Sequence, residues 1–314
     1  MTPKKLMFIG GAIVLLVLLI LGISLYNNQN KNTGSSSAES SGGSLLDQLT
    51  QNNQELLDEV DNRKTVIFGL YGTDEKVDDV GRSDIIMVVK YNPQTKIATL
   101  ISIPRDTRVD IPGYGLDKIN HAFAFGGQEL LDTTIENFLG IKLDFSIKTN
   151  FETFASIIDD VGGVEVNALK DFPYDDGSVA IARGEQVLNS RDALYYVRFR
   201  HDEDGDYGRI ARQQEVIISL VDTLSKISLN QLDELIQKYY NNGIETNASL
   251  AKIQEYVNLG TRDKDITYQT MRLNTTSALI DGIWYELYSQ EDLDAVKTIL
   301  QGDDLNQDQW EDAQ

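Results

Sequence analysis

Twenty-one consecutive uncharged, mostly apolar residues, Leu6–Tyr26, follow Lys4 and Lys5. At about 1.5 Å per residue a helix of that length spans ~31 Å, the hydrocarbon thickness of a bilayer. A cleaved signal peptide ordinarily has an apolar core of about 7–15 residues and an A-x-A-like cleavage site. Here the run ends in Gly22-Ile23-Ser24-Leu25-Tyr26-Asn27, which has no such site, so an uncleaved single-pass transmembrane helix over 6–26 is expected. Lysines precede the run and the next one is Lys31, which predicts a cytoplasmic N-terminus (1–5) and a bulk outside the cell, at the membrane. The chain has no cysteine, so disulfides and thiolate metal sites are excluded.

Residues 27–43 are rich in Asn, Ser and Gly and cannot bury a core, which predicts a flexible tether. Leu45, Leu46, Leu49, Leu56, Leu57 and Val60 then recur at helical spacing, as in a short stalk helix. If all of linker and stalk (27–62) were flexible, its root-mean-square reach would be about 30–36 Å. The rest of the 314 residues, 41% of the whole being hydrophobic, suffices for one domain with a real core. The tail, 303–314, is polar and acidic and is expected to be disordered.

Within that domain nine of the chain's twelve arginines fall between residues 82 and 212, although the net charge is −21. They gather in Gly81-Arg82-Ser83-Asp84, in Pro104-Arg105-Asp106, and in Arg198-Phe199-Arg200-His201 with its continuation Gly208-Arg209-Ile210-Ala211-Arg212-Gln213. An acidic chain repels polyanions in bulk, so concentrated arginine points to a local anion. The guanidinium fork fits phosphate oxygens two at a time. Pairing with nearby carboxylates accounts for any one arginine more easily than for three clusters together.

The strings GRSDIIMVV (81–89), ISIPRDTRVDIP (101–112), KINHAFAFGG (118–127), IDDVGGVEV (158–166), GEQVLNSRDALYYVRFRH (184–201) and GDYGRIARQQEVI (205–217) resemble, in order and spacing, the LytR-CpsA-Psr family. The resemblance covers roughly 63–226, the expected catalytic domain, with 227–302 as an α/β continuation of it. It implies an extracytoplasmic phosphotransferase that moves a glycopolymer, such as teichoic acid or capsule, from a polyprenyl pyrophosphate carrier onto peptidoglycan. It also places metal contacts on Asp74 and Asp84 and pyrophosphate contacts on the named arginines.

Val66–Leu70, Asp84–Tyr91 and Ile97–Ile103 read as buried strands, with motifs at their ends. Glu129–Leu139, Phe151–Val161, Arg191–Arg198 and Gly208–Lys226 read as helices. Gly162-Gly163 makes a break before a strand over Val164–Val166. Further on, Leu229–Tyr240, Leu250–Asn258 and Glu291–Leu300 read as helical, and Ile266–Leu273 and Ile283–Tyr288 as strands. The alternation predicts an α/β fold, an α/β/α sandwich with a central mixed sheet.

The residues support phosphoryl chemistry directly. Arg82, Arg105, Arg198 and Arg200 can clamp phosphates, and Lys118, Arg209 and Gln213 can add donors. Removing one preorganised donor of this kind typically costs about 10²–10³ in rate. Asp74 and Asp84, with phosphate oxygens, can hold Mg²⁺ or Mn²⁺ in the usual mode of one or two carboxylates plus substrate. Arg82, Asp84, Arg105 and Asp106 are the catalytic candidates. The general base is open among Asp74, Asp84 and Asp106, or a metal removes the need for one. A lipid groove has candidates in Phe123, Phe125, Phe138, Leu139, Phe151, Phe154, Ile157 and Ile158, which serve equally as core. A carrier-lipid pyrophosphatase would use the same site with water as acceptor, and a non-catalytic wall-binding module would keep the arginines without needing the aspartates. A transcription regulator is disfavoured: about five cytoplasmic residues cannot form a DNA-binding motif, and the acidity opposes nucleic acid.

Overall fold

The computed structural model describes residues 65–73, 83–174, 177–200, 205–241, 243–249 and 266–302, with Lys252, Asp304 and Trp310. The expected membrane helix, tether and stalk, Asp74, Arg82, His201, the expected helix Leu250–Asn258 apart from Lys252, Arg262, and the expected acidic tail 303–314 apart from Asp304 and Trp310 lie outside the described residues.

Three strands run first: β1 (Val66–Thr73), β2 (Ser83–Asn92) and β3 (Ile97–Ser102). A small hairpin of β4 (Arg108–Ile111) and β5 (Gly115–Lys118) leads into α1 (Ile119–Leu139). Next come β6 (Phe145–Asn150), α2 (Phe151–Val161) and β7 (Val164–Ala168). Short strands β8 (Phe172–Pro173), β9 (Val179–Ile181) and β10 (Gly184–Leu188) precede α3 (Ser190–Arg198) and α4 (Gly205–Ser225). The chain closes with α5 (Leu229–Asn241), β11 (Ile244–Thr246), β12 (Thr267–Arg272), the hairpin β13 (Thr276–Ile280) and β14 (Ile283–Leu287), and α6 (Gln290–Gln301).

The central sheet has six strands in the order β11-β6-β1-β2-β3-β12. β1 runs antiparallel to β2 and parallel to β6, and β12 is parallel to β3, so the sheet is mixed. Its strands are buried on both faces because successive side chains alternate. Met87 and Val89 join a core with α2, α3 and α4, through Ile157, Tyr196 and Leu220. Ile86 and Val88 join a second core with α1 and α6, through Leu131, Ile135 and Val296. This is the expected α/β/α sandwich. The last third belongs to it: β11 and β12 edge the same sheet, and the buried Lys90 amine donates to the Ile299 and Gly302 carbonyls at the end of α6, at 3.0 and 2.8 Å.

Most expected elements occur with ends shifted by a few residues, and three differences have physical causes. The helix expected from Glu129 begins ten residues earlier, at Ile119. Gly126 and Gly127 (φ −147° and +65°) kink it, which interrupts the apolar period. The strand expected at Ile283–Tyr288 forms a hairpin with β13 outside the main sheet, bridged to Thr107 through Glu286. The groove candidates divide between the two faces: Phe123 and Leu139 lie with α1, whereas Phe154, Ile157 and Ile158 lie on the opposite side of the sheet. The Gly162-Gly163 break forms as expected, with φ of +86° and +111°, and a Cβ on Gly163 would come within 2.9 Å of the Leu188 carbonyl.

Candidate anion-binding site

The sheet's geometry collects the described members of the arginine clusters at one pole. β1 ends at Thr73 opposite Ser83, where β2 begins, and β3 ends at Ser102 beside Arg272 of β12. Asp84 sits on the first turn of β2. Arg105 does not end β3 as expected; it lies in a tight turn after it, closed by the Thr107 amide and hydroxyl donating to the Pro104 carbonyl at 3.0 and 2.6 Å. Proline's fixed φ and this turn aim Arg105 back at β2, where its Nη1 donates to Asp84. Its Nε lies 3.5 Å from Asp106, whose other oxygen holds the Lys118 amine at 2.7 Å. Asp84, Arg105, Asp106 and Lys118 thus form one charged chain.

α3 delivers the second group. Its last residue, Arg198, and Arg200 are exposed, while Phe199 between them is buried. Phe199 leaves the helix extended (φ −60°, ψ 134°), so the residues on either side of it turn outward together. Arg198 lies 5.0 Å over the Phe151 ring. Protein crowding its guanidinium lowers its pKa, opposed by the charge of Asp84, which places Arg198 within the field of the first group. Asp206, at the start of α4, gathers the remainder: Arg200 Nε at 3.3 Å and Arg209 Nη2 at 2.8 Å. Arg105 feels Asp206 as well. Burial lowers its pKa, but Asp84, Asp106 and Asp206 outweigh that and raise it.

The expected site residues therefore divide. Asp84, Arg105, Asp106 and Lys118 are in direct contact, Arg198, Arg200 and Arg209 adjoin them, and Asp74 and Arg82 lie outside the described residues. Gln213 is buried and its amide donates to the Val197 carbonyl at 3.3 Å. His121 pairs with Asp117 at 2.9 Å.

Three further arginines lie here that the expected site set did not include: Arg212 of the third cluster, Arg108 of the second motif, and Arg272, outside every motif. Arg212, 6% exposed, donates to the Tyr196 and Phe199 carbonyls at 3.1 and 2.5 Å and packs against the rings of Phe172, Tyr196 and Phe199, so it fixes the segment that presents Arg198 and Arg200. Arg272 stacks on Tyr207, its pKa lowered by burial and raised in part by Tyr207, Glu286 and Asp206. Arg108 lies 5.4 Å over the Tyr285 ring. Arg272 stands alone in sequence, and only the β12–β3 pairing brings it to this pole.

Arg105, Arg108, Arg209 and Arg272 each keep at least one buried guanidinium nitrogen without a hydrogen-bond partner. A buried donor left unpaired costs about 1–3 kcal/mol, and an anion with several oxygens relieves that cost. Among the described residues no three His, Asp or Glu groups cluster as a metal site. Asp84 alone therefore fits a metal only together with substrate oxygens, the arrangement Mg²⁺ commonly adopts.

Comparisons with known proteins identify the family and the fold. The sequence matches the LytR_cpsA_psr family over residues 23–302. The polyisoprenyl-teichoic acid–peptidoglycan teichoic acid transferase TagU of Oceanobacillus iheyensis is 34% identical over 306 residues, 94% of this chain and 93% of that protein. Among solved structures, B. subtilis TagV superposes with a TM-score of 0.65 at 28% identity, covering 76% of this chain and 97% of TagV. The LytR-CPS2A-psr family protein YwtF (TagT) with bound octaprenyl pyrophosphate lipid superposes with a TM-score of 0.60 at 28% identity, covering 77% and 90%. Motifs, fold and coverage agree, and the chain belongs to the LytR-CpsA-Psr family.

Proposed function

We propose that this protein is a membrane-anchored phosphotransferase that moves an anionic glycopolymer, of the teichoic acid type, from a polyprenyl pyrophosphate carrier onto peptidoglycan. The observation that carries this reading is the single pole where Asp84, Arg105, Asp106 and Lys118 form a charged chain beside Arg198, Arg200 and Arg209, with buried guanidinium donors left over. The relatives' transferase names and the lipid pyrophosphate held by YwtF support the choice of substrate.

In the reaction, an acceptor hydroxyl oxygen bonds to the sugar-linked phosphorus. The bridging P–O–P bond breaks, and polyprenyl phosphate departs with the electron pair. The arginines neutralise charge on both phosphoryl groups and are already oriented before substrate arrives, so little reorganisation is needed as charge shifts to the leaving group. Asp84 or Asp106 accepts the hydroxyl proton once substrate oxygens draw to themselves the Arg105 and Lys118 cations now paired with it. Mg²⁺ or Mn²⁺, bound by Asp84, Asp74 and substrate oxygens, would supply further neutralisation of the leaving phosphate. The apolar Leu6–Tyr26 segment keeps the domain near the carrier's leaflet.

The test is reconstituted transfer. Full-length protein in liposomes, given labelled polymer on polyprenyl pyrophosphate and peptidoglycan oligomers, should yield labelled peptidoglycan and polyprenyl phosphate in equal amounts. Release of free polymer without label on peptidoglycan would replace the transferase reading with a hydrolase.

A further inference from the structure

The anchor joins the domain at the wrong end to orient the site. The Leu6–Tyr26 segment leads through the linker to Val66, which pairs with Tyr91, whereas the site pole begins where Thr73 pairs with Ser83. About seven residue steps of ~3.3 Å place those ends roughly 23 Å apart. A tether that enters at the far pole limits distance from the membrane but does not turn the arginines toward it.

The β13–β14 hairpin supplies a second contact. Its turn is Asp281-Gly282, with φ of +51° and +80°, the left-handed pair that favours a tight two-residue hairpin. Leu279 and Trp284 face each other across the strands and are 56% and 61% exposed; Ile283, opposite Ile280, is 46% exposed. Asp281 is the one charge between Leu279 and Trp284. The root of the hairpin is joined to the site. The Glu286 amide donates to the Asp106 carbonyl at 2.9 Å, and Arg108 and Lys118 lie over the Tyr285 ring at 5.4 and 5.9 Å. Three residues, ~10 Å of strand, separate that root from Ile283. Another exposed apolar group, Tyr114, Leu116 and Phe125, lies around the β4–β5 hairpin. Because Thr107 and Glu286 bridge in parallel, β4 runs from the bridge toward its own hairpin tip while β14 runs from its tip toward the bridge, so the two tips lie on opposite sides.

We propose that the tip of the β13–β14 hairpin inserts into the outer leaflet and holds the site pole at headgroup level, where a carrier lipid's pyrophosphate lies. The inference rests on the membrane-anchored transferase reading. Trp favours the membrane–water interface, and Leu and Ile beside it favour the acyl boundary. With a net charge of −21 the chain gains no attraction to an anionic surface, so apolar insertion is the driving force.

The experiment is tryptophan quenching with the full-length protein reconstituted in liposomes that contain lipids brominated at shallow acyl positions. Subtracting the Trp284→Phe signal removes the contribution of Trp310. Trp284 emission should be quenched by brominated lipid and protected from aqueous iodide, equally in neutral and anionic vesicles. A Leu279→Asp/Ile283→Asp double variant, checked by circular dichroism, should lose both effects. That variant should transfer poorly from a full-length carrier in the bilayer and normally from a short-chain carrier in detergent. Iodide access without bromolipid quenching would overturn the proposal, as would protection from both quenchers, which would mean that protein covers the tip. Wild-type quenching by lipid without any transfer would count against the transferase reading and leave the insertion standing.

Discussion

Replacing Arg212 with Met tests whether this arginine is a framework residue or a ligand-facing one. The substitution keeps an apolar stem beside Phe172, Tyr196 and Phe199 and removes the donors to the Tyr196 and Phe199 carbonyls. Each hydrogen bond from a charged donor contributes about 1.5–3 kcal/mol, so two give a loss of at least ~3 kcal/mol when the carbonyls stay buried. In a domain of this size 1 kcal/mol moves Tm by about 2–4 °C, so the variant should melt ~6–12 °C lower. Its end of α3 would also loosen, and Arg198 and Arg200 would lose their common orientation. Transfer should therefore fall together with Tm, and Arg212→Lys, which keeps the charge without the fork, should lie between. Thermal melting by circular dichroism and single-turnover transfer measure the two effects. An unchanged Tm with lost transfer would refute the framework role and make Arg212 a ligand contact.

Arg105→Ala and Arg200→Ala should each weaken lipid pyrophosphate binding by roughly 1.5–3 kcal/mol, with lysine rescuing only in part. Arg262→Ala, outside every arginine cluster, should do little, and equal effects at Arg262 and Arg105 in a binding titration would mean bulk electrostatics alone. Asp84→Asn should abolish divalent-dependent transfer while leaving the fold intact by circular dichroism; full transfer by this variant in chelator would remove the metal role. Protease added to intact protoplasts should digest the chain beyond about residue 30 if Leu6–Tyr26, which is long enough to cross a bilayer, anchors it with its N-terminus inside; protection would overturn the topology.

The sequence by itself determined those parts whose signal is local. Val, Ile and Leu runs marked β1, β2 and β3, amphipathic spacing marked α2 through α6, and the α/β alternation gave the layered class. The arginine clusters marked the candidate site, because permanent charge concentrated in an acidic chain has few other uses. β6 escaped notice, although it lies inside the sheet between β11 and β1, because Ser146, Lys148 and Thr149 are buried polar residues. Their burial becomes tolerable only through partners distant in sequence: Ser146 with Gln128 and Asp132, Lys148 with Glu245. The lipid-groove candidates likewise shared an apolar character that could not reveal that the sheet passes between them. Which arginine faces a ligand and which braces the frame was also beyond the sequence, since Arg198, Arg200 and Arg212 are the same chemistry. Tertiary structure separates them by burying Arg212 against the carbonyl end of α3 and leaving the other two exposed. Periodicity and charge are properties of neighbouring residues, and the sequence displays them. Satisfying a buried polar group depends on residues that folding alone brings together.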